Sequence, residues 1–487
     1  MLKIDGTCRQ ALYCVDATRR IEQALAASLP VHALMQRAGL AVAQLALALV
    51  PHGERYWIAC GAGNNGGDGL EAAMHLQLWG KQAFVSWLGQ ADTTPPDAAR
   101  SYQHAKDAGV TFTASAPEQY DLCIDALLGI GARNSEPEGR MAELIRSINA
   151  SNCAVLGVDL PSGLNADTGA VAHTSVRASH TLSLLTLKPG LFTAQGRDAA
   201  GTVWLDDLGA GPFAAANQTL FAATAWLAGA TVHDARRHDS HKGSYGDVVV
   251  VGGAPGMSGA PLLAATAALH GGAGRVFVVL LDADPLTVDV NQPELMFRSS
   301  DALDYSAMTV VCGCGGGSEI RKLLAQILST AAQLVIDADA LNAIASDSQL
   351  QTLLIARARR TTATVLTPHP LEAARLLGST TAQVQADRLL VGQQLAQRYG
   401  CTVVLKGSGT VIAAPGQTPI INSTGNARLA SAGTGDVLAG MIGAAMAAGL
   451  PAFAAASRAV YQHGLAADRW SGQASLTAGA LARAVSP

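Results

Sequence analysis

The residues 61–69, Gly61-Ala62-Gly63-Asn64-Asn65-Gly66-Gly67-Asp68-Gly69, set three polar side chains into a stretch otherwise almost free of Cβ bulk. Bare backbone of this kind lets N–H groups come close to an anion, and Asn and Asp side chains there can bind phosphate, ribose or a hard cation. The first six residues satisfy G-x-G-x-x-G, but the acidic ribose partner expected about 20 residues further on is missing. Two carboxylates stand at the ends of apolar runs: Asp125 before Ala-Leu-Leu-Gly-Ile-Gly, and Asp159 before Leu-Pro-Ser-Gly-Leu-Asn. At the carboxyl ends of parallel strands such groups line a ligand crevice, where partial desolvation suits proton transfer or cation binding. Singly each could be a turn cap; the three loops together point to one site. The sharpest pattern is Ala432-Gly433-Thr434-Gly435-Asp436, which opens a long uncharged helical stretch. Glycines at a helix start expose N–H groups to an anion, and Asp436 beside them could take a proton from a hydroxyl as a phosphoryl group arrives.

These side chains need a scaffold, and the hydrophobic pattern supplies one. Residues 10–50 read as helical, through Leu34, Ala38, Val42 and Leu45. A strand over 56–60 closes on the glycine turn, a helix follows over 70–79, and a strand over 83–88. The rhythm repeats at 122–128 and 155–158. After a lapse around 206–240 a second series begins at Val248–Val251, with strands at 276–281, 309–312, 334–336, 363–366 and 402–405, and a helical close over 437–463. Short apolar strands alternating with helices predict parallel sheets covered on both faces. The boundary is expected near 215–235, giving domains over 1–215 and 225–487.

Composition agrees with two α/β domains. The chain has 487 residues, more than one core usually organises. Hydrophobic residues make up 49% and charged residues 14%, with the excess in Ala and Gly, which lets helices approach sheets closely. A net charge of −4 gives no electrostatic basis for nucleic acid or an anionic membrane as partner. The uncharged span between Asp436 and Arg458 is interrupted by Pro451 and reads as a pair of core helices. Eight scattered cysteines read as buried thiols of a reducing compartment. The start, MLKIDGTCRQ, lacks the features of a secretory signal, so a cytoplasmic protein is expected. His233, His238 and His241 lie in a polar junction and are read as solvated rather than as metal ligands.

The motifs GAGNNGGDG, DALLGIG and VDLPSGLNADTG resemble the NAD(P)H-hydrate epimerase domain, which implies a Rossmann-like doubly wound sheet. The resemblance implies substrate contact for Asn64, Asn65, Gly66, Gly67 and Asp68, for the loop Gly129, Ile130, Gly131, Ala132, Arg133, Asn134 and Ser135, and for Asp159. It also implies a potassium ion on Asn65, Asp125 and Ser162; Asp159, a carboxylate at a strand end, is read as the acid/base group. In the second half, HKGSYG (241–246), VVVVGGAPGMSG (248–259), NQPE (291–294), VIDADALN (335–342), TPHP (367–370), VVLKGSGT (403–410) and AGTGD resemble the ADP/ATP-dependent NAD(P)H-hydrate dehydratase, of the ribokinase-like superfamily, with its α/β/α layers. By position, Ala260, Gly315, Gly317, His369 and Asp436 would contact the hydrated nucleotide. Lys406, Gly407, Ser408, Gly409, Thr410 and Gly435 would hold ADP or ATP with Mg²⁺. Two stretches depart from the family pattern: Gly316 replaces an apolar residue, and Asn426-Ala427-Arg428-Leu429 stands where Asn-Pro-Gly-Met is common.

The whole chain thus resembles the bifunctional NAD(P)H-hydrate repair enzymes, which implies the hydrates of NADH and NADPH as substrates and a homo-oligomer. A ribokinase-like small-molecule kinase with a non-catalytic N-terminal binding domain remains the alternative, because the GTGD motif is shared. A plain dehydrogenase is third, weakened by the missing ribose acid.

Overall fold

The computed structural model describes the chain except residues 91–92, 132–136, 172, 231–237, 473 and 486–487. It divides into two compact units, Met1–Trp226 and Leu227–Pro487.

In the first unit, eight strands form one sheet: β1 (Leu2–Lys3), β2 (Arg55–Cys60), β3 (Gln82–Trp87), β4 (Thr111–Phe112), β5 (Leu122–Ala126), β6 (Ala154–Val158), β7 (His180–Leu184) and β8 (Thr202–Asp206). Their order is β1-β8-β7-β6-β5-β2-β3-β4, parallel except for the antiparallel edge strand β1. Successive side chains of a strand face opposite sides, and β2 shows the consequence. Tyr56, Ile58 and Cys60 join Ile21, Val42 and Leu70 in a core under the helices Val15–Ala26, Ala33–Leu49 and Asn64–Leu78. Trp57 and Ala59 join Cys123, Leu144 and Ile148 on the other face. The chain leaves β2 toward β3 on one side and later returns to β5 on the other. The order reverses at that point, so the ends of β2 and β5 form a crevice.

The second unit repeats the logic. Strands β9 (Asp247–Gly252), β10 (Arg275–Leu280), β11 (Met296–Phe297), β12 (Thr309–Cys312), β13 (Gln333–Ile336), β14 (Thr364–Leu366), β15 (Thr402–Leu405), β16 (Val411–Ala413) and β17 (Ile420–Ile421) lie in the order β11-β10-β9-β12-β13-β14-β15-β16-β17. The first seven positions are parallel and the last two strands antiparallel. Here the reversal lies between β9 and β12, beside Gly313–Gly317.

The uncharged span is two helices, Thr434–Ala447 and Ala452–Asp468, the second capped by Pro451. The first lies against Gly259–His270 so closely that a Cβ on Gly440 would sit 2.0 Å from the Ala264 carbonyl oxygen. Among the described residues no helix is long and apolar enough to cross a membrane. His238 and His241 are exposed, and His233 lies outside the described residues.

Two local expectations are corrected. The helix expected over 70–79 begins at Asn64, and the opening 10–50 is a short strand, Gln10–Leu12, followed by two helices, Val15–Ala26 and Ala33–Leu49. Tertiary contact overrode the poor helix propensity of Gly66, Gly67 and Gly69.

Candidate active sites at two strand crevices

In the first unit the glycine turn is tight because protein, not ligand, fills its space. A Cβ on Gly61 would lie 1.9 Å from the Leu127 carbonyl oxygen, and one on Gly66 2.0 Å from that of Gly61. Gly63 and Gly131 face open space instead. Asn64 is exposed, and Asn65 and Asp68 are half-buried on the first turns of the helix.

Asp125, on β5, is wholly buried and serves the neighbouring loops. Its Oδ1 accepts from Ser162 Oγ at 2.6 Å and Leu127 N at 3.3 Å, and its Oδ2 from Ser162 N at 2.8 Å. Ser162 Oγ in turn accepts from Leu128 N at 2.9 Å. Burial raises Asp125 to about 6, against the lowering effect of the Ser162 and Leu127 hydrogen bonds. Gly129 leans on Asn65, whose Oδ1 would be 2.9 Å from a Cβ there, and Ile130 O accepts from Arg19 at 3.4 Å. The loop residues Ala132, Arg133, Asn134 and Ser135 lie outside the described residues.

Asp159 follows β6 in the left-handed region, φ 66°. That conformation is uncommon without glycine and marks a constrained position. Its carboxylate is ion-paired to Lys188, a wholly buried lysine that also donates to the Leu184 carbonyl at 2.8 Å. Burial pushes the Asp68 carboxyl well up, and the charges of Asp159, Glu22 and Glu71 add to that, with Lys188 opposing. Burial likewise raises Glu22, and the charge of Asp159 adds to the rise. The sequence reading missed Lys188 and Glu22. The one signal for Lys188 was a lone cation in the apolar run LLTLKPG.

The second crevice gathers groups from five stretches. Helix Thr434–Ala447 starts after Gly433, with Gly435 and Asp436 on its first turn. Lys406, at the end of β15, bonds Asp337 Oδ1 at 2.6 Å. A Cβ on Gly435 would be 3.3 Å from Lys406 Nζ and 3.9 Å from Asp337 Oδ2. Donor atoms of Cys314, Asp337 and Asp436 lie within 4.8 Å of one another. Asp436 is raised to about 6, by burial first and then by the Asp337 charge, while the Cys314 thiol and Lys406 hold it down. Burial would lower Lys406, but the carboxylates of Asp337 and Glu372 more than offset it, so its value is raised. His463 bonds the Thr434 carbonyl at 2.9 Å, and burial lowers it to about 4, so it stays neutral at that helix start.

The other expected residues converge in part. Ala260 stands 3.0 Å from where a Gly315 Cβ would be, and Gly317 N donates to Asp339 at 2.9 Å. Gly407 packs on the buried guanidinium of Arg388, which bonds the Leu405 and Lys406 carbonyls. Thr410 bonds the Gly407 carbonyl at 3.0 Å, and Ser408 is exposed. His369 acts structurally as the cap of helix Pro370–Leu377, its Nδ1 accepting from Leu371 N and Glu372 N while Glu372 accepts from His369 N. Glu372 is raised to about 7 by burial, opposed by Lys406. The unusual Gly316 also has a reason, since a Cβ there would be 2.8 Å from Ile320 Cβ. In the second variant stretch, Asn426 bonds Asp468 at 2.8 Å. Asp337, Cys314 and Glu372 were not singled out from sequence, because nothing in their spacing places them beside Asp436.

Residues 31–190 match the family model described as YjeF-related protein N-terminus, and residues 248–486 the model described as NAD(P)H-hydrate dehydratase. Over 475 residues the chain is 37% identical to the bifunctional NAD(P)H-hydrate repair enzyme Nnr of Escherichia coli (strain K12), covering 94% of this chain and 89% of that relative. The chain belongs to the bifunctional NAD(P)H-hydrate repair enzyme family. Its second half is 46% identical over 263 residues to the ADP-dependent (S)-NAD(P)H-hydrate dehydratase of Neisseria meningitidis serogroup B (strain ATCC BAA-335 / MC58), covering 53% of this chain and 88% of that protein. A solved structure of ADP/ATP-dependent NAD(P)H-hydrate dehydratase from Bacillus subtilis, co-crystallised with ATP/Mg²⁺, is 30% identical, with a TM-score of 0.44 and coverage of 52% of this chain and 91% of that one. The likeness to the Escherichia coli relative thus runs through both of the chain's units.

Proposed function

We propose that the first unit interconverts the epimers of hydrated NADH and NADPH, and that the second dehydrates the S epimer at the expense of ADP or ATP. The observation that carries the reading is Asp436 on the first turn of a helix, beside the Lys406–Asp337 pair and raised to about 6. Asp436 accepts the proton of the ring hydroxyl while that oxygen bonds to the terminal phosphorus of the nucleotide and the phosphorus–oxygen bond to the leaving nucleotide breaks. The ring carbon–oxygen bond then breaks with phosphate taking the electron pair, and loss of a neighbouring ring proton completes the double bond. Lys406 and the backbone of Gly407, Ser408, Gly409, Thr410 and Gly435 hold the phosphates. Ala260, Gly315, Gly317 and His369 border the hydrated nicotinamide.

Asp337, Asp339 and Asp436 are hard oxygen donors of the type Mg²⁺ accepts, and bound Mg²⁺ would neutralise charge on the transferring group. In the first unit, Asn65 Nδ2 is buried without a partner. The two ends of an amide are interchangeable in assignment, so a turned Asn65 offers an oxygen beside Gly129, on the loop whose Leu128 N–H bonds Ser162 Oγ. The oxygens of Asn65, Asp125 and Ser162 are donors that suit K⁺, which would offset the buried charge of Asp125. Asn64, Asn65, Asp68 and the loop Gly129 to Ser135 contact the dinucleotide, and Asp159, steadied by Lys188, exchanges the proton of epimerisation.

Incubation of hydrated NADH with ADP and Mg²⁺ should restore the absorbance of reduced nicotinamide and release AMP and phosphate. Absence of recovery with fresh protein refutes the dehydratase. A stable phosphorylated product instead indicates a small-molecule kinase.

A further inference from the structure

Helix Asn64–Leu78 carries a carboxylate that neither proposed reaction uses. Glu71 is wholly buried, and its Oε1 meets His32 Nε2 and His104 Nδ1, each at 2.8 Å. Its other oxygen, Oε2, is buried with no hydrogen-bond partner. A buried carboxylate with one bare oxygen is costly unless a cation compensates it. The three residues come from separate elements. His32 caps helix Ala33–Leu49 in the left-handed region, φ 73°, and His104 lies on helix Pro96–Asp107. A strained backbone at a residue that turns its ring into a polar cluster is the pattern of a constrained functional position. Behind it, His32 Nδ1 is buried without a hydrogen-bond partner, 3.4 Å from Asp97 Oδ1.

We propose that His32 Nε2, Glu71 and His104 Nδ1 bind one divalent transition-metal ion of the zinc class, which ties the three helices together. Two imidazoles and a carboxylate suit Zn²⁺ rather than K⁺ or Mg²⁺. The three donor atoms lie within 4.8 Å of one another. A tetrahedral ion with bonds of about 2.0–2.2 Å holds its donors roughly 3.3–3.6 Å apart. The 2.8 Å contacts therefore need to open by roughly 0.5–0.8 Å to admit the ion. The His104 side chain is 33% exposed, which supplies an entry path and leaves a fourth position for water.

The test uses the full chain, stripped with a chelator, dialysed against Zn²⁺ and counted for metal by mass spectrometry, with Co²⁺ as a spectroscopic probe. Wild type should retain one Zn²⁺ per chain more than His104→Ala or Glu71→Gln, and only wild type should show the visible bands of tetrahedral Co²⁺ and a Zn²⁺-dependent rise in Tm. His104→Ala changes a half-buried residue, and circular dichroism verifies its fold should Glu71→Gln fail to fold. Equal zinc counts in wild type and folded His104→Ala, or no zinc retained by wild type, overturn the proposal. The readout does not depend on either reaction, so it stands or falls apart from them.

Discussion

Each unit buries a lysine against an aspartate at a strand crevice, yet the two pairs leave different carboxylates for chemistry. In the first unit Lys188 grips Asp159 itself, the residue expected to move the proton. In the second, Lys406 grips Asp337 and leaves Asp436 to a weak thiol donor, Cys314. The Lys188 pair fixes where the Asp159 carboxylate sits. A carboxylate without a paired cation, desolvated and facing a second aspartate, is poised closer to neutrality. Asp436 therefore fits the proposed role of proton acceptor during phosphoryl transfer, while Lys188 holds Asp159 in place for the exchange proposed there.

The contrast can be broken most directly at Asp436. Asp436→Asn should lower dehydration by about 10²–10⁴-fold with epimerisation intact, both followed by chromatography of the two hydrates. Retained dehydration would place the base elsewhere. Next in size are the lysines. Lys188→Met leaves Asp159 buried and unpaired, a loss of roughly 3–5 kcal/mol in denaturant unfolding. Lys406 has a side chain 19% exposed, so Lys406→Met should cost less stability and more nucleotide affinity. An equal stability loss would erase the difference between the pairs.

The pH profile sharpens the same point. With Asp436 raised to about 6, dehydration should fall below that pH with unit slope, and Asp337→Asn should move the inflection down. The sign for stability is opposite. A carboxyl whose folded value lies above its unfolded one loses stability as pH rises from about 4 toward 6, so Asp436→Asn should melt higher than wild type at neutral pH. A lower Tm for a folded, inactive variant would contradict the desolvation account. The smallest contrast compares two glycines at helix starts. Gly63→Ala meets open space and should change stability by less than about 1 kcal/mol, whereas a Cβ at Gly435 comes 3.3 Å from Lys406 Nζ. Titration of each with ADP should show loss for Gly435→Ala and none for Gly63→Ala.

The alternating architecture, the central parallel strands and the carboxylates at strand ends were set by the sequence alone, because apolar runs of strand length bounded by glycine turns leave few other ways to bury themselves; the strands His180–Leu184 and Thr202–Asp206, which extend the first sheet, were not legible in it. The helix start at Asn64 was not readable, since local propensity opposed it and only the contact of Gly66 with the Gly61 carbonyl decided it. Nor were the pairings. Lys406 and Asp337 are 69 residues apart, and Lys188 and Asp159 are 29 apart. Which lysine neutralises which aspartate depends on the order of strands in the sheet, and spacing along the chain carries no record of that order. Family motifs could supply roles for single residues, but the partner that tunes each carboxylate emerged only when the strands were laid side by side.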